Sequence, residues 1–300
     1  MVTATCVAES PNAGRFISID AVRSGLAGVD YLADDAIAGV VFLADRLDKP
    51  VLVEGPAGTG KTELAKSVAR WSGSRLVRLQ CYEGLDESKA LYEWNYRKQL
   101  LRIQAGQGAG TSWADLEDDI FTEEFLLARP LLEAIRADEP VVLLIDEVDR
   151  LEVETEALLL EILSDWQVSV PEMGTVVATR IPLVFLTSNG TRDLSEALKR
   201  RCLFLHLDYP SVEREREIVL ARVPELPAHL AGEVARVVRS LRLLDLRKAP
   251  SVSETLDWAR TLVVMGVDTL DADVTESTLH VLLKHRADIA AAARELKTAG

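Results

Sequence analysis

Cysteine is nearly absent from this chain: Cys6, Cys81 and Cys202 are the only three among 300 residues, odd in number and far apart. That excludes a disulfide-stapled scaffold and fits a reducing, cytoplasmic compartment. Histidine is almost as scarce, with four residues and no metal-site spacing; His280 and His285 stand five apart and read as surface residues. Basic charge is short as well, 34 Lys and Arg against 48 Asp and Glu, a net charge of −14. Such a balance argues against nucleic acid or an anionic membrane surface as the main partner, although a local basic pore is compatible with it. No apolar run approaches the roughly 20 residues of a membrane span. Met1 to Gly14 lacks a charged segment followed by an apolar core, so no signal peptide is expected. Internal repeats are absent too. What the chain does have is apolar material, 48% of its residues, enough for one large or two modest domains.

The densest signal is Gly55, Pro56, Ala57, Gly58, Thr59, Gly60, Lys61 and Thr62, followed by Glu63. It stands after the apolar run Pro50 to Val53 and before a helical pattern, Glu63 to Arg70, which is the strand and helix context that a phosphate-binding loop requires. Glycines let successive backbone N–H groups turn inward toward an anion, and the helix N-terminus adds its positive end. Lys61 suits the β- and γ-phosphates of a nucleoside triphosphate, and the Thr62 hydroxyl suits Mg²⁺.

A second element is acidic. Val141 to Ile145 is a continuous apolar run, as expected of a central strand buried on both faces, and it ends in Asp146 and Glu147. In such sites the first acid holds Mg²⁺ and the second polarises the attacking water. Asp149 follows closely, and three clustered acids are expected to need a cation. A third apolar run, Ile181 to Thr187, ends in Ser188 and Asn189, an amide able to orient water or touch the γ-phosphate. After it come Leu194 to Lys199, the pair Arg200 and Arg201, and the strand-like run Cys202 to Leu207.

At this point the chain resembles an AAA+ ATPase. The resemblance implies an α/β fold: a P-loop AAA+ parallel sheet flanked by helices, with a β-hairpin insertion and a smaller C-terminal α-helical lid. By position Asn189 matches the family's sensor 1. Either Arg200 or Arg201 matches the arginine that serves a neighbouring subunit's nucleotide, although both equally suit a helix C-terminus. A hairpin pattern at Val168 to Thr179, ahead of Asn189, and the segment Phe125 to Ala134 look like the MoxR branch. Within it, Tyr92 to Leu100 and Pro250 to Thr255 look most like CoxD-type members, which are linked to maturation of molybdenum-containing carbon monoxide dehydrogenase. The resemblance implies ATP and Mg²⁺ as cofactors, a homo-oligomeric ring (a hexamer in kin), a client metalloenzyme and a von Willebrand factor A-type partner. One departure stands out: Pro250 is followed by Ser251 where many relatives carry the sensor 2 arginine, leaving Arg247, Lys248 or Arg260 as substitutes.

Residues 1–14 read as a flexible N-terminus, 15–208 as the nucleotide-binding domain and 209–300 as the helical lid. Asp30 to Leu47 reads as an amphipathic helix, with Tyr31 and Leu32 at its entry where an AAA+ protein lines its adenine pocket. Tyr82, Tyr92, Trp94 and Tyr96 crowd a chain that is only 5% aromatic. They suit either a loop that grips a protein client or lines a ring pore, or aromatics folded back onto the sheet, and the alternation of Trp94 and Tyr96 about Asn95 also suits a short hairpin. Three functions fit: an ATP-driven remodelling chaperone, a nucleic-acid motor or loader, and an ATP-gated scaffold with little hydrolysis. The acidic charge disfavours the second, and the presence of Glu147 and Asn189 disfavours the third.

Overall fold

The computed structural model describes residues 14–107 and 120–298. The flexible reading of residues 1–14 therefore falls outside it except at Gly14, and so does the acidic stretch Asp115 to Asp119. In chain order the elements are α1 (Ile19–Ala27), α2 (Asp35–Leu47), β1 (Val51–Glu54), α3 (Lys61–Ser72), β2 (Arg75–Gln80), α4 (Glu87–Ala90), β3 (Tyr92–Trp94) and α5 (Tyr96–Gln107). Then come β4 (Leu126–Ala128), α6 (Pro130–Ile135), β5 (Val141–Asp146), α7 (Val153–Asp165), β6 (Gln167–Val170), β7 (Gly174–Val177) and β8 (Leu183–Ser188). The last are α8 (Glu196–Arg201), β9 (Leu203–His206), α9 (Val212–Arg222), α10 (Ala228–Arg242), α11 (Val252–Val264), α12 (Ala272–Leu282) and α13 (Arg286–Thr298).

Two compact units emerge. Among the described residues, the first comprises 14–29, 33–54, 64–107 and 120–205; the second comprises 30–32, 55–63 and 206–298. The first unit is built on a five-stranded sheet in the order β2-β5-β8-β1-β9. The pairs β2–β5, β5–β8 and β8–β1 are all parallel, with Gln80 opposite Asp146, Ile145 opposite Leu186 and Glu54 opposite Ser188. Every residue of β5 and β8 is buried, which explains why their sequences are continuous apolar runs rather than alternating ones. Each such Val, Leu or Ile contributes about 1.5–3 kcal/mol by leaving water. Strand β2 lies at the sheet edge and alternates, hiding Val77 and Leu79 while Leu76, Arg78 and Gln80 face out.

The hairpin expected at Val168 to Thr179 is present as β6–β7, and Gly174, the first residue of β7 after the turn, takes φ +82°. Two other expectations need correction. Residues 30–34 are not helical: Asp30 sits at φ +60°, and α2 starts only at Asp35, where the Asp34 carboxylate accepts from the Ile37 N–H at 2.8 Å. The side-chain cap beats the apolar pattern in deciding where the helix begins. Nor do the clustered aromatics make a local hairpin. Strand β3 pairs antiparallel with the distant β4, and Trp94 is buried edge-on against Phe121 and Tyr92. Tyr82 and Tyr96 remain exposed.

In the second unit, helices α9 to α13 enclose Trp258, whose indole N–H donates to Thr278 Oγ1 at 2.8 Å. Arg242 forms a buried fork onto Glu215, at 2.6 and 2.8 Å, and stacks over Tyr209. No strand interrupts residues 211–298, as the helical spacing predicts.

Candidate nucleotide site

In the first unit, β1, β5 and β8 run in parallel, so Glu54, Asp146 and Ser188 end at one edge of the sheet. In open parallel sheets that carboxyl edge is where ligands bind. Asp146 is buried. Its Oδ1 accepts from the Thr187 hydroxyl at 2.5 Å, and its Oδ2 accepts from Arg78 at 2.6 Å. Glu147 follows in the left-handed region, φ 58° and ψ 49°. Its backbone N–H donates to Thr187 Oγ1 at 2.9 Å, and its Oε2 accepts from Gln80 at 3.1 Å and pairs with Arg150 at 2.9 Å. Asp149 is turned elsewhere. Its Oδ2 accepts from the backbone N–H groups of Asn189 and Thr191, at 3.2 and 3.1 Å, and from the Thr191 hydroxyl at 2.6 Å.

The expectation that these three acids need a cation is thus corrected in part. The protein supplies Arg78, Arg150, an amide, a hydroxyl and backbone donors. The cluster's negative field still shows at Cys81, whose thiol is pushed up to about 12 by burial and then by Asp146, Asp149 and Glu147. Arg78, Gln80 and Thr187 escaped the sequence reading. Alternation in β2 places positions 78 and 80 on one face, but only the β2–β5 register aims them at the acids.

The phosphate-binding loop belongs to the second unit. Gly55, Gly58 and Gly60 take φ of +155°, +76° and +96°. A Cβ on Gly58 would stand 2.2 Å from Ser251 Cβ, so glycine is required there by contact as well as by backbone angle. The Gly58 carbonyl accepts from the Val252 N–H at 3.1 Å, joining the loop to the first turn of α11. Lys61 is buried, and its ammonium donates to the Gly55 and Pro56 carbonyls, both at 2.7 Å. A Cβ on Gly60 would lie 3.9 Å from the Tyr31 ring. Glu63 pairs with Arg222 at 3.3 Å. An ammonium and a helix start on a glycine loop form the donor set of a polyphosphate. Two of the suggested sensor 2 substitutes have partners close by in sequence, Lys248 with Glu254 and Arg260 with Asp257.

Of the adjacent arginines Arg200 and Arg201, the second is tied back to Ser164 Oγ and to the Ala197 carbonyl, while Arg200 is exposed. Among the described residues no three His, Cys, Asp or Glu side chains gather as a metal cage. Mg²⁺ bound through one carboxylate, a hydroxyl and nucleotide phosphates requires none.

The family model of the AAA domain, dynein-related subfamily, matches residues 50–202, just over half of the chain. The chain belongs to that family. As an AAA protein it binds nucleotide and is an ATPase. The denitrification regulatory protein NirQ of Stutzerimonas stutzeri is 27% identical over 69% of this AAA chain and 68% of its own. The gas vesicle ATPase GvpN of Ancylobacter aquaticus is 26% identical over 82% of this chain and 69% of its own. Among solved structures, a point mutant of Thermotoga maritima RuvB superposes with a TM-score of 0.50 at 20% identity, covering 89% of this chain and 71% of that one. At that identity the likeness speaks for the AAA+ fold alone. Among the described residues, no helix is long and apolar enough to cross a membrane.

Proposed function

We propose that this AAA protein is a Mg²⁺-dependent, MoxR-type remodelling ATPase that works on a client protein as an oligomeric ring. The observation that carries the ATPase half is Glu147, held in a strained conformation at the tip of β5 beside a buried Asp146. In this reading Lys61 and the amides of residues 55–63 take the phosphates, Thr62 and Asp146 hold Mg²⁺, Glu147 polarises the lytic water and Asn189 orients it. Bound Mg²⁺ supplies charge neutralisation at the phosphates. Exposed Arg200, rather than the tethered Arg201, is then the arginine offered to a neighbouring subunit.

Client remodelling is favoured over a nucleic-acid motor by the net charge of −14. The names of NirQ and GvpN also point to denitrification regulation and gas vesicles rather than to DNA or RNA. Of the finer proposals, a molybdenum-enzyme client rests on the CoxD-like segments around Tyr92 and Pro250, a von Willebrand factor A-type partner on the resemblance to the MoxR branch, and a cytoplasmic location on the three scattered cysteines. Lys61→Ala should abolish ATP binding, because it removes the cation from a site otherwise built of backbone dipoles. Glu147→Gln should bind ATP and not turn it over, since an amide cannot accept the water's proton. Equal turnover in wild type and Glu147→Gln would refute the assignment. A pull-down with Glu147→Gln as a trap tests for the client.

A further inference from the structure

At the carboxyl ends of β5 and β8, two side chains cross between the strands in opposite directions. Asp149, just beyond β5, grips the chain beyond β8 through Asn189 and Thr191. Thr187 of β8 reaches the other way, to Asp146 and Glu147. A backbone N–H can only donate, so the Glu147 amide fills a lone pair of the Thr187 hydroxyl and the hydroxyl's one hydrogen is left for Asp146. One oxygen thereby fixes the side chain of the first acid and the backbone of the second. The second acid needs fixing. A left-handed conformation costs a residue bearing a side chain about 1–2 kcal/mol and persists only where the surroundings impose it. At Glu147 they do so through Thr187 and through the Arg150 N–H, which donates to the Glu147 carbonyl at 3.0 Å.

Nothing in the strand itself calls for a hydroxyl at position 187. The site is 1% exposed, beside Leu186 in sequence and opposite Val53 of β1, and valine would match the shape and strand preference of threonine. We infer that Thr187 is a positioning residue for ATP hydrolysis, a clip that holds Asp146 and Glu147 in mutual register for the chemical step. This rests on the assignment of those two acids to the nucleotide.

The test compares wild type, Thr187→Val, Thr187→Ser, Thr187→Ala and Glu147→Gln as full chains. It measures ATPase kcat and KM, binding of a fluorescent ADP analogue, and thermal unfolding. Thr187→Val and Thr187→Ala should lose about 10–100-fold in kcat, the range seen when a partner of a liganding group is removed. Their ADP affinity should be unchanged, and Thr187→Ser should recover most of the rate. Wild-type kcat in folded Thr187→Val or Thr187→Ala would overturn the inference. So would a loss confined to KM, or a serine variant as slow as alanine. If valine prevents folding, the alanine and serine pair decides the question alone. Equal turnover in wild type and Glu147→Gln would sink the assignment of the acids, and the inference with it. An inactive Glu147→Gln beside a fully active Thr187→Val sinks the inference only.

Discussion

At Gly58 two separate constraints meet. The backbone at φ +76° disfavours any Cβ by about 1–2 kcal/mol. A Cβ would also lie 2.2 Å from Ser251 Cβ and 2.5 Å from its Oγ, inside any real contact distance. At Gly60, φ is +96° but the nearest atom is 3.9 Å away, so only the first constraint operates. Gly58→Ala should therefore be the more damaging change, displacing the loop, the start of α11 or both. Calorimetric titration with ADP should show binding lost in Gly58→Ala and merely weakened in Gly60→Ala, with the thermal midpoint lowered in the same order. Equal affinities in the two variants would show that Ser251 yields without resistance.

Between elements, α7 is joined to the start of α8 by one buried acid. Glu156 accepts from the Ser195 N–H at 3.1 Å and is paired with Arg192, which also donates to the Leu151 carbonyl at 2.7 Å. Burial alone would raise this carboxyl's pKa, but the hydrogen bonds from Ser195 and Arg192 outweigh it and hold the group below its ordinary value of 4.5. A depressed acid stabilises the fold fully above its unfolded value, and that contribution is lost as pH falls through the folded one. Glu156→Gln should therefore lower the thermal midpoint near pH 7, and the gap from wild type should close as the pH is taken below 4.5. A gap that stays constant across that range would mean that the charge on Glu156 is not what matters. The link lies on the chain between Asn189 and Arg200, so losing it should also slow turnover.

For the whole molecule, the proposal that exposed Arg200 acts in trans makes hydrolysis a property of the assembly. An arginine finger is worth roughly 10³–10⁵ in rate, so dilute protein should be slow and specific activity should rise with concentration. Arg200→Ala should stay assembled yet inactive, whereas Arg201→Ala should lose mainly the tether to Ser164. Mixing Arg200→Ala with Glu147→Gln chains should restore part of the activity, because intact halves meet at some interfaces. Constant activity per chain at every dilution, or no gain on mixing, would argue for a helix-end arginine with no partner to serve.

What could be read without coordinates was whatever chemistry binds to consecutive residues. A phosphate-binding loop is made of its own backbone amides, so Gly55 to Thr62 announce it directly. Fully buried central strands must be apolar throughout, so β5 and β8 stand out together with the polar residues Asp146, Glu147 and Asn189 at their ends. Helical spacing after residue 211 likewise reveals the five-helix region. Partners chosen across the sheet could not be read. Arg78 on Asp146, Gln80 on Glu147 and the Thr187 clip depend on β2–β5–β8 adjacency and register, which periodicity does not encode. For the same reason Asp149 read as one of three acids awaiting a cation, until the fold turned it onto Asn189 and Thr191. Local sequence determines which groups are offered along the chain. Side-chain hydrogen bonds reach only about 3 Å, so which groups meet is decided by the packing of strands distant in sequence.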